Sequence, residues 1–161
     1  MMPLAEGALA HGRFGWEVFP LGPCSKVPAI PQVHPPDSAE RRECKGRCGV
    51  DGHGLYDGTT NLDRIAAWWD RNPRYNIGGR VPAGLFVLDI DPRNGGWDNL
   101  KQLVAEHHGV WHKTRTSATG GGGWHFLFIH PGGKISENRL PDGLDIKKRG
   151  GYIVLPPSVH P

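Results

Sequence analysis

No apolar run in this 161-residue chain approaches the ~20 residues that a membrane span requires. The longest, Val81 to Leu88, is interrupted by Pro82 and Gly84. No charged-then-apolar leader opens the chain, so a cytoplasmic location without membrane contact is expected. Cysteine is scarce. Three residues are an odd number and too few for a disulfide framework, which leaves thiol chemistry or a metal site. Internal repeats and low-complexity tracts are lacking as well. Glycine and proline, by contrast, number 24 and 15, about twice the usual share. So much turn-forming sequence excludes a long helical bundle and fits one soluble domain of mixed helices and short strands.

The net charge of +3 is mild but uneven. From Lys113 onward, Lys113, Arg115, Lys134, Arg139, Lys147, Lys148 and Arg149 face only Glu137, Asp142 and Asp145. That excess suits phosphates, or it is an ordinary solvated surface.

Apolar spacing predicts a helix over Leu4 to Phe14, then a strand from Trp16 to Leu21 that Pro23 ends. Residues 23–54 hold five prolines, all three cysteines and no apolar period, and read as an insertion rather than core. Thr60 and Asp63 resemble a capping pair for a helix carrying Leu62, Ile65, Ala66 and Trp69 on one face, stopped by Asn72 and Pro73. Trp68 and Trp69 read as packing residues rather than a base-stacking platform. A buried strand, Gly84 to Ile90, is followed by a helix from Trp97 to His108 with Gly109 as its C-terminal cap. Strands are expected at Trp124 to Ile129, around Leu144 to Ile146, and at Tyr152 to Leu155. The fold class is α+β.

Asp89 and Asp91 end the apolar strand, and the two-residue period puts both carboxylates on one face. Two like charges there call for Mg2+ or Mn2+, as in phosphoryl-transfer sites; the plainer reading is loop capping or a salt bridge to Arg93. Gly120 to Gly123 precede a strand rather than a helix and lack a following Lys-Ser/Thr, which excludes a Walker-type loop. The glycines leave backbone N–H groups open to phosphates, with His125 positioned to donate to a phosphate oxygen. Asp145, between Leu144 and Ile146, is expected to have a metal or a basic partner. Lys147 or Arg149 would serve as that partner, or both would bind triphosphate.

Cys44, Cys48 and His53 lie close together, with Cys24 upstream. This spacing is acceptable for a tetrahedral structural Zn2+, with Cys24 the preferred fourth ligand and His34 the reserve. Free thiols are the alternative. A proline-rich segment with so little apolar content gains order from a metal in place of a core.

The order Trp16-Glu17-Val18-Phe19-Pro20-Leu21, Lys26 to Pro28, Asp57 to Thr60, Trp68-Trp69, Asn76-Ile77-Gly78, LFVLDID, GGGWHFLF, LDIK and GGYIVLPPS resembles the bifunctional primase-polymerase domain of phage and plasmid replication proteins, in the archaeo-eukaryotic primase superfamily. The resemblance covers nearly all of residues 1–161. It implies an RRM-like, mostly antiparallel catalytic sheet packed with helices, beside a small N-terminal αβ lobe with a cleft between them. Some relatives carry a Cys/His-rich insertion at the place of residues 23–54. The resemblance further implies that Asp89, Asp91 and Asp145 bind two catalytic Mg2+ or Mn2+ ions and that His125 contacts the incoming nucleotide. Superfamily members often have Ser where this chain has Gly123, so that phosphate contact falls to backbone N–H groups or to Ser117. The implied partners are a single-stranded DNA template and an NTP or dNTP. Such proteins commonly continue into a helicase, so an excised domain is expected.

Two rivals remain at this level. An apolar strand ending in Asp-x-Asp also describes a metal-dependent glycosyltransferase, which has no need of the glycine-run histidine or of a third acid. A non-catalytic, zinc-stabilised nucleic-acid-binding module is the other. A replication initiator nuclease is disfavoured by the lack of a His-x-His pair and of a convincing nucleophilic Tyr.

Overall fold

A computed structural model describes residues 2–111, 113–133, 135 and 140–159. Lys134, Glu137 and Arg139, part of the C-terminal charge excess, lie outside the described residues. Over these residues the fold is α+β, with four α-helices and two antiparallel sheets. The chain forms two compact units, one of residues 1–80 with 151–161 and one of residues 81–150. No helix among the described residues is long and apolar enough to cross a membrane.

The first unit carries α1 (Leu4–Arg13), β1 (Glu17–Leu21), α2 (Ala39–Glu43), α3 (Leu62–Arg71), β2 (Asn76–Arg80) and, from the chain's end, β7 (Tyr152–Leu155). Its sheet runs β1-β2-β7, antiparallel throughout. Strand β2, NIGGR, was not expected from propensity, since glycine in a strand interior has nothing to pack. Neighbours supply the missing side chains. Phe19, opposite Gly78 in the register, lies so close that a Cβ on Gly78 would meet its ring at 2.7 Å, and a Cβ on Gly79 would meet Leu155 at 2.3 Å. Asn76 is buried and fully engaged: its amide donates to the carbonyls of Ser25 and Val159, and its Oδ1 accepts from the Val159 N–H.

Helix α3 is capped by Asn61, whose side chain accepts from the Arg64 N–H at 3.0 Å, one residue beyond the expected Thr60. Asn72 closes it as expected. Ile65, Trp68 and Trp69 are buried. Both indoles are also hydrogen-bonded, Trp68 to Asp51 and Trp69 to the Tyr75 carbonyl, which removes them as stacking platforms.

The second unit carries β3 (Leu85–Ile90), α4 (Gly96–Glu106), β4 (Thr116–Ala118), β5 (Trp124–Ile129) and β6 (Leu144–Lys147), with sheet order β4-β5-β3-β6. The three-residue β4 was too short for a periodic signal. Leu88, Ile90, Phe126 and Leu144 form a core with Leu100 of α4, and Trp97, Leu103 and Val104 pack against it. Trp111, which packs edge-on against Phe126 and Phe128, extends this apolar side. Helix α4 ends differently from expectation. His108, not Gly109, takes the left-handed conformation (φ 48°), and the bonds Gly109 N–H to Val104 O and His108 N–H to Ala105 O make a Schellman closure.

Candidate functional site

Alternation along β3, β5 and β6 puts Leu88, Ile90, Phe126 and Leu144 on one face of the sheet and Asp89, His125 and Asp145, beside the buried Val87, on the other. The register lines those polar residues up. Ser117 of β4 is opposite His125 of β5, His125 is opposite Asp89 of β3, and Asp89 is opposite Asp145 of β6. Directly opposed residues share a face, with Cβ atoms roughly 5 Å apart. Four residues from four strands thus form one continuous row, and two of them are carboxylates facing each other.

Each acid is met by a base. His125, whose side chain is only 9% exposed, places Nε2 3.6 Å from Asp89 Oδ1. Lys147, one of the two partners expected for this acid, donates to Asp145 Oδ2. Asp145 is more open than its apolar neighbours suggested, with a 54% exposed side chain, because it lies on the polar face while Leu144 and Ile146 turn to the core. Arg149 lies in the turn after β6.

Asp91 follows β3 in extended conformation and caps a short 3-10 helix, Pro92–Asn94. Its Oδ1 accepts from the backbone and Nε of Arg93, and its Oδ2 from Arg93 Nη2 and Asn94 Nδ2, all at 3.0–3.1 Å. The Arg93 side chain, then its backbone N–H, hold this carboxyl below the usual range. The loop-capping and salt-bridge reading of Asp91 therefore describes this arrangement.

Gly123 has no room for a side chain: a Cβ would lie 2.1 Å from the Ile90 carbonyl. Its N–H donates to Thr119 Oγ1 and its carbonyl accepts from the Thr119 N–H, closing the glycine turn. A serine here would push β5 away from β3. At the same turn, a Cβ on Gly121 would lie 3.6 Å from the Arg93 guanidinium.

A second constellation occupies the proline-rich segment of the first unit. His34, Cys44, Cys48 and His53 bring one ligand atom each to within 4.8 Å of one another. Among the described residues no other group of three or more His, Cys, Asp or Glu side chains is gathered so closely. A tetrahedral zinc with bonds of ~2.3 Å to sulfur and ~2.0 Å to nitrogen sets neighbouring S and N ligands about 3.6 Å apart. Cys48 Sγ lies 3.6 Å from His53 Nε2 and 3.9 Å from His34 Nε2. The bond from His34, ahead of smaller contributions from Cys48 and His53, draws the Cys44 thiol down from 9.0 to about 6, toward the thiolate that metals require.

Cys24, the preferred fourth ligand, stands outside this group, and the reserve, His34, completes it. The reason is local backbone. Cys24 sits in a tight turn after β1, with φ 48° and a Gly22 N–H to Val27 O bond across it. His34 is carried in because the Val33 N–H bonds to the Gly52 carbonyl at 3.2 Å. Gly52, at φ 120°, permits that approach, since a Cβ would lie 2.5 Å from Pro31 O. Asp57 was also missed: it is buried and bonded around His53, and its i,i+4 spacing from a ligand histidine was the available signal.

Compared with families of known proteins, residues 8–161 match the model described as bifunctional DNA primase/polymerase, N-terminal. No curated protein matches the chain.

Proposed function

Because the chain belongs to the bifunctional DNA primase/polymerase family, we propose that it performs template-directed nucleotidyl transfer on single-stranded DNA with divalent metal at Asp89, Asp91 and Asp145. The family carries a DNA primase/polymerase function, with DNA and nucleotides as substrates. The finer reading rests on one observation above all: the in-register row Ser117, His125, Asp89, Asp145.

Three carboxylates are an all-oxygen donor set suited to Mg2+ or Mn2+. Asp89 and Asp145, opposed across two strands, would repel each other unless a positive charge stands between them. Lys147 and Arg93 meet part of that demand by holding Asp145 and Asp91. Two divalent ions held by these carboxylates would supply Lewis acidity toward the attacking 3′-hydroxyl and the triphosphate. The chain's own groups then do the positioning. Lys147 and Arg93, which hold Asp145 and Asp91 here, would meet phosphate oxygens, with Arg149 nearby in sequence. His125, with Nε2 on the polar face, orients the triphosphate rather than acting as a base, and Ser117 adds a neutral donor, since the Gly123 N–H is taken by Thr119 Oγ1.

For the Cys/His segment we read zinc, since two sulfurs and two imidazoles at these spacings suit it. Residues 1–161 then form one primase-polymerase domain with a zinc-bearing insertion over 23–54.

The test is primer synthesis and extension on single-stranded DNA with labelled NTP or dNTP and Mg2+ or Mn2+. Asp89→Asn and Asp145→Asn should each lower incorporation by at least about 100-fold, of the order expected when transition-state charge stabilisation is removed, with unchanged circular dichroism. His125→Ala should mainly raise KM for nucleotide. Incorporation near the wild-type rate in either Asp variant removes that residue from the site. DNA binding without any incorporation by the wild type would favour the non-catalytic module instead. Nucleotide-sugar transfer gains no support from the histidine and third acid in the row.

A further inference from the structure

Asp57 is nearly inaccessible, with 4% of its surface exposed, and lies at the end of a short 3-10 helix, Gly54–Asp57. A buried carboxylate is costly unless its oxygens are met. One oxygen, Oδ2, accepts from the backbone N–H groups of Gly52 and His53, at 3.0 and 2.8 Å. The other, Oδ1, stands 3.4 Å from His53 Nδ1. The far nitrogen of the same ring, Nε2, is the one that faces Cys48 Sγ at 3.6 Å. The imidazole thus lies between the Asp57 carboxylate on one side, at ion-pair distance though outside hydrogen-bond geometry, and the ligand group on the other.

We propose that Asp57 is the positioning residue of the metal site, fixing His53 as the tautomer that carries its proton on Nδ1 and offers the Nε2 lone pair to the metal. The inference rests on the zinc reading of the His34, Cys44, Cys48, His53 group. A metal-ligating histidine needs its second nitrogen anchored, and losing that anchor typically weakens metal binding by 10–100-fold. Asp57 does more than anchor a ring. Its hold on the N–H groups of Gly52 and His53 fixes the stretch whose Gly52 carbonyl receives Val33, and that bond delivers His34. One carboxylate therefore governs the placement of both imidazole ligands. The segment is also joined to the sheet beyond it, because Thr59 bridges to Val18 of β1 through paired backbone bonds.

An isosteric substitution separates positioning from mere structure. In Asp57→Asn the amide oxygen can replace Oδ2 and keep both backbone bonds. The amide nitrogen then faces His53 Nδ1 as a donor, which favours the tautomer protonated on Nε2, the wrong one for ligation. Zn2+ affinity should be measured on the full chain by competition with a chromophoric chelator, and the site read independently with Co2+ through its visible absorption. For Asp57→Asn the expected result is Zn2+ affinity 10–100-fold weaker and a perturbed Co2+ spectrum, with the thermal midpoint of the metal-free protein unchanged. Asp57→Glu, which retains the carboxylate, should recover part of the affinity. Wild-type affinity and spectrum in the Asn variant would overturn the positioning role while leaving zinc binding in place. A wild-type protein that takes up neither Zn2+ nor Co2+ would overturn the zinc reading itself, and the inference with it.

Discussion

The Cys/His segment of the first unit and the acid-bearing sheet of the second answer the same need, holding charged side chains in place, by opposite means. In the sheet, β3, β5 and β6 each present a polar residue on one face and bury apolar residues on the other. Asp89 is flanked by Leu88 and Ile90, His125 is followed by Phe126, and Asp145 sits between Leu144 and Ile146. Burial of that face pins the register, and the register pins the row. The segment has no such reserve. Its helix α2 buries no residue, and what joins its parts is hydrogen bonds: the Ser38 cap on Arg41, Val33 to Gly52, and Asp57 to Gly52 and His53. Sites built on a packed sheet tolerate loss of their ligand; a site built on such a loop takes its order from the ligand.

The sharpest way to break this contrast is to damage the sheet's core. Ile90 is fully buried between the strand ends that carry Asp89 and Asp91. Ile90→Ala should cost about 2–5 kcal/mol, the usual range for emptying such a site, seen as a lower denaturant midpoint with lost primer synthesis. Bound zinc should be retained if the segment is ordered by its own ligands. A loss below about 1 kcal/mol would mean that burial does not hold the row in register.

The same contrast governs what the sequence could reveal. Strands β5 and β7 were legible to the residue, and β3, β6, α1 and α4 to within one or two at their ends, because burial writes a period into the chain. Asp89, Asp145 and His125 were picked out one by one, from the strand patterns and the family resemblance; their alignment in one row was not, because it depends on which strands pair and in what register. Strand β2 was hidden because its packing atoms belong to Phe19, Leu155 and Trp16 rather than to its own glycines. His34 lost to Cys24 as the fourth member of the metal group for a different reason. Proximity across a loop depends on one backbone bond and on the freedom of Gly52, and neither leaves a periodic trace. Asp57 was visible as part of a family-like run, but its burial and its bonds were not.

Removing metal sharpens the comparison next. Under chelation, amide protection should fall in residues 33–58 and persist in β3, β5 and β6, measured by hydrogen exchange. Metal content separates the two ligand sets: Cys24→Ser should keep about one zinc per chain, whereas His34→Ala and Cys48→Ser should lower it. Loss of zinc in Cys24→Ser would restore the set expected from spacing. Uniform loss of protection through both regions would show that the segment supports the sheet after all.

The smallest effect is expected at Tyr152, where the proline-rich segment meets the first unit's packed sheet. Its hydroxyl donates to the Lys26 carbonyl at 2.9 Å, and its ring stands edge-on to Phe19 with centroids 5.2 Å apart. Burial raises the phenol's pKa above its ordinary 10.0, so the fold favours the neutral, donating form. A group whose folded pKa is raised contributes stability in full below its unfolded value, and loses that contribution as pH climbs through the folded one. Tyr152→Phe keeps the ring contact and removes only the hydroxyl. Near neutral pH it should cost about 1 kcal/mol or less, the net worth of one hydrogen bond. Above pH 10 the wild type gives up that advantage and must also accommodate a phenolate, while the variant does not. The difference in denaturation midpoint between the two proteins should therefore hold steady up to about pH 9, then shrink and change sign. A difference that stays constant to pH 11 would place the Tyr152 hydroxyl in free exchange with water and detach Lys26 from the sheet.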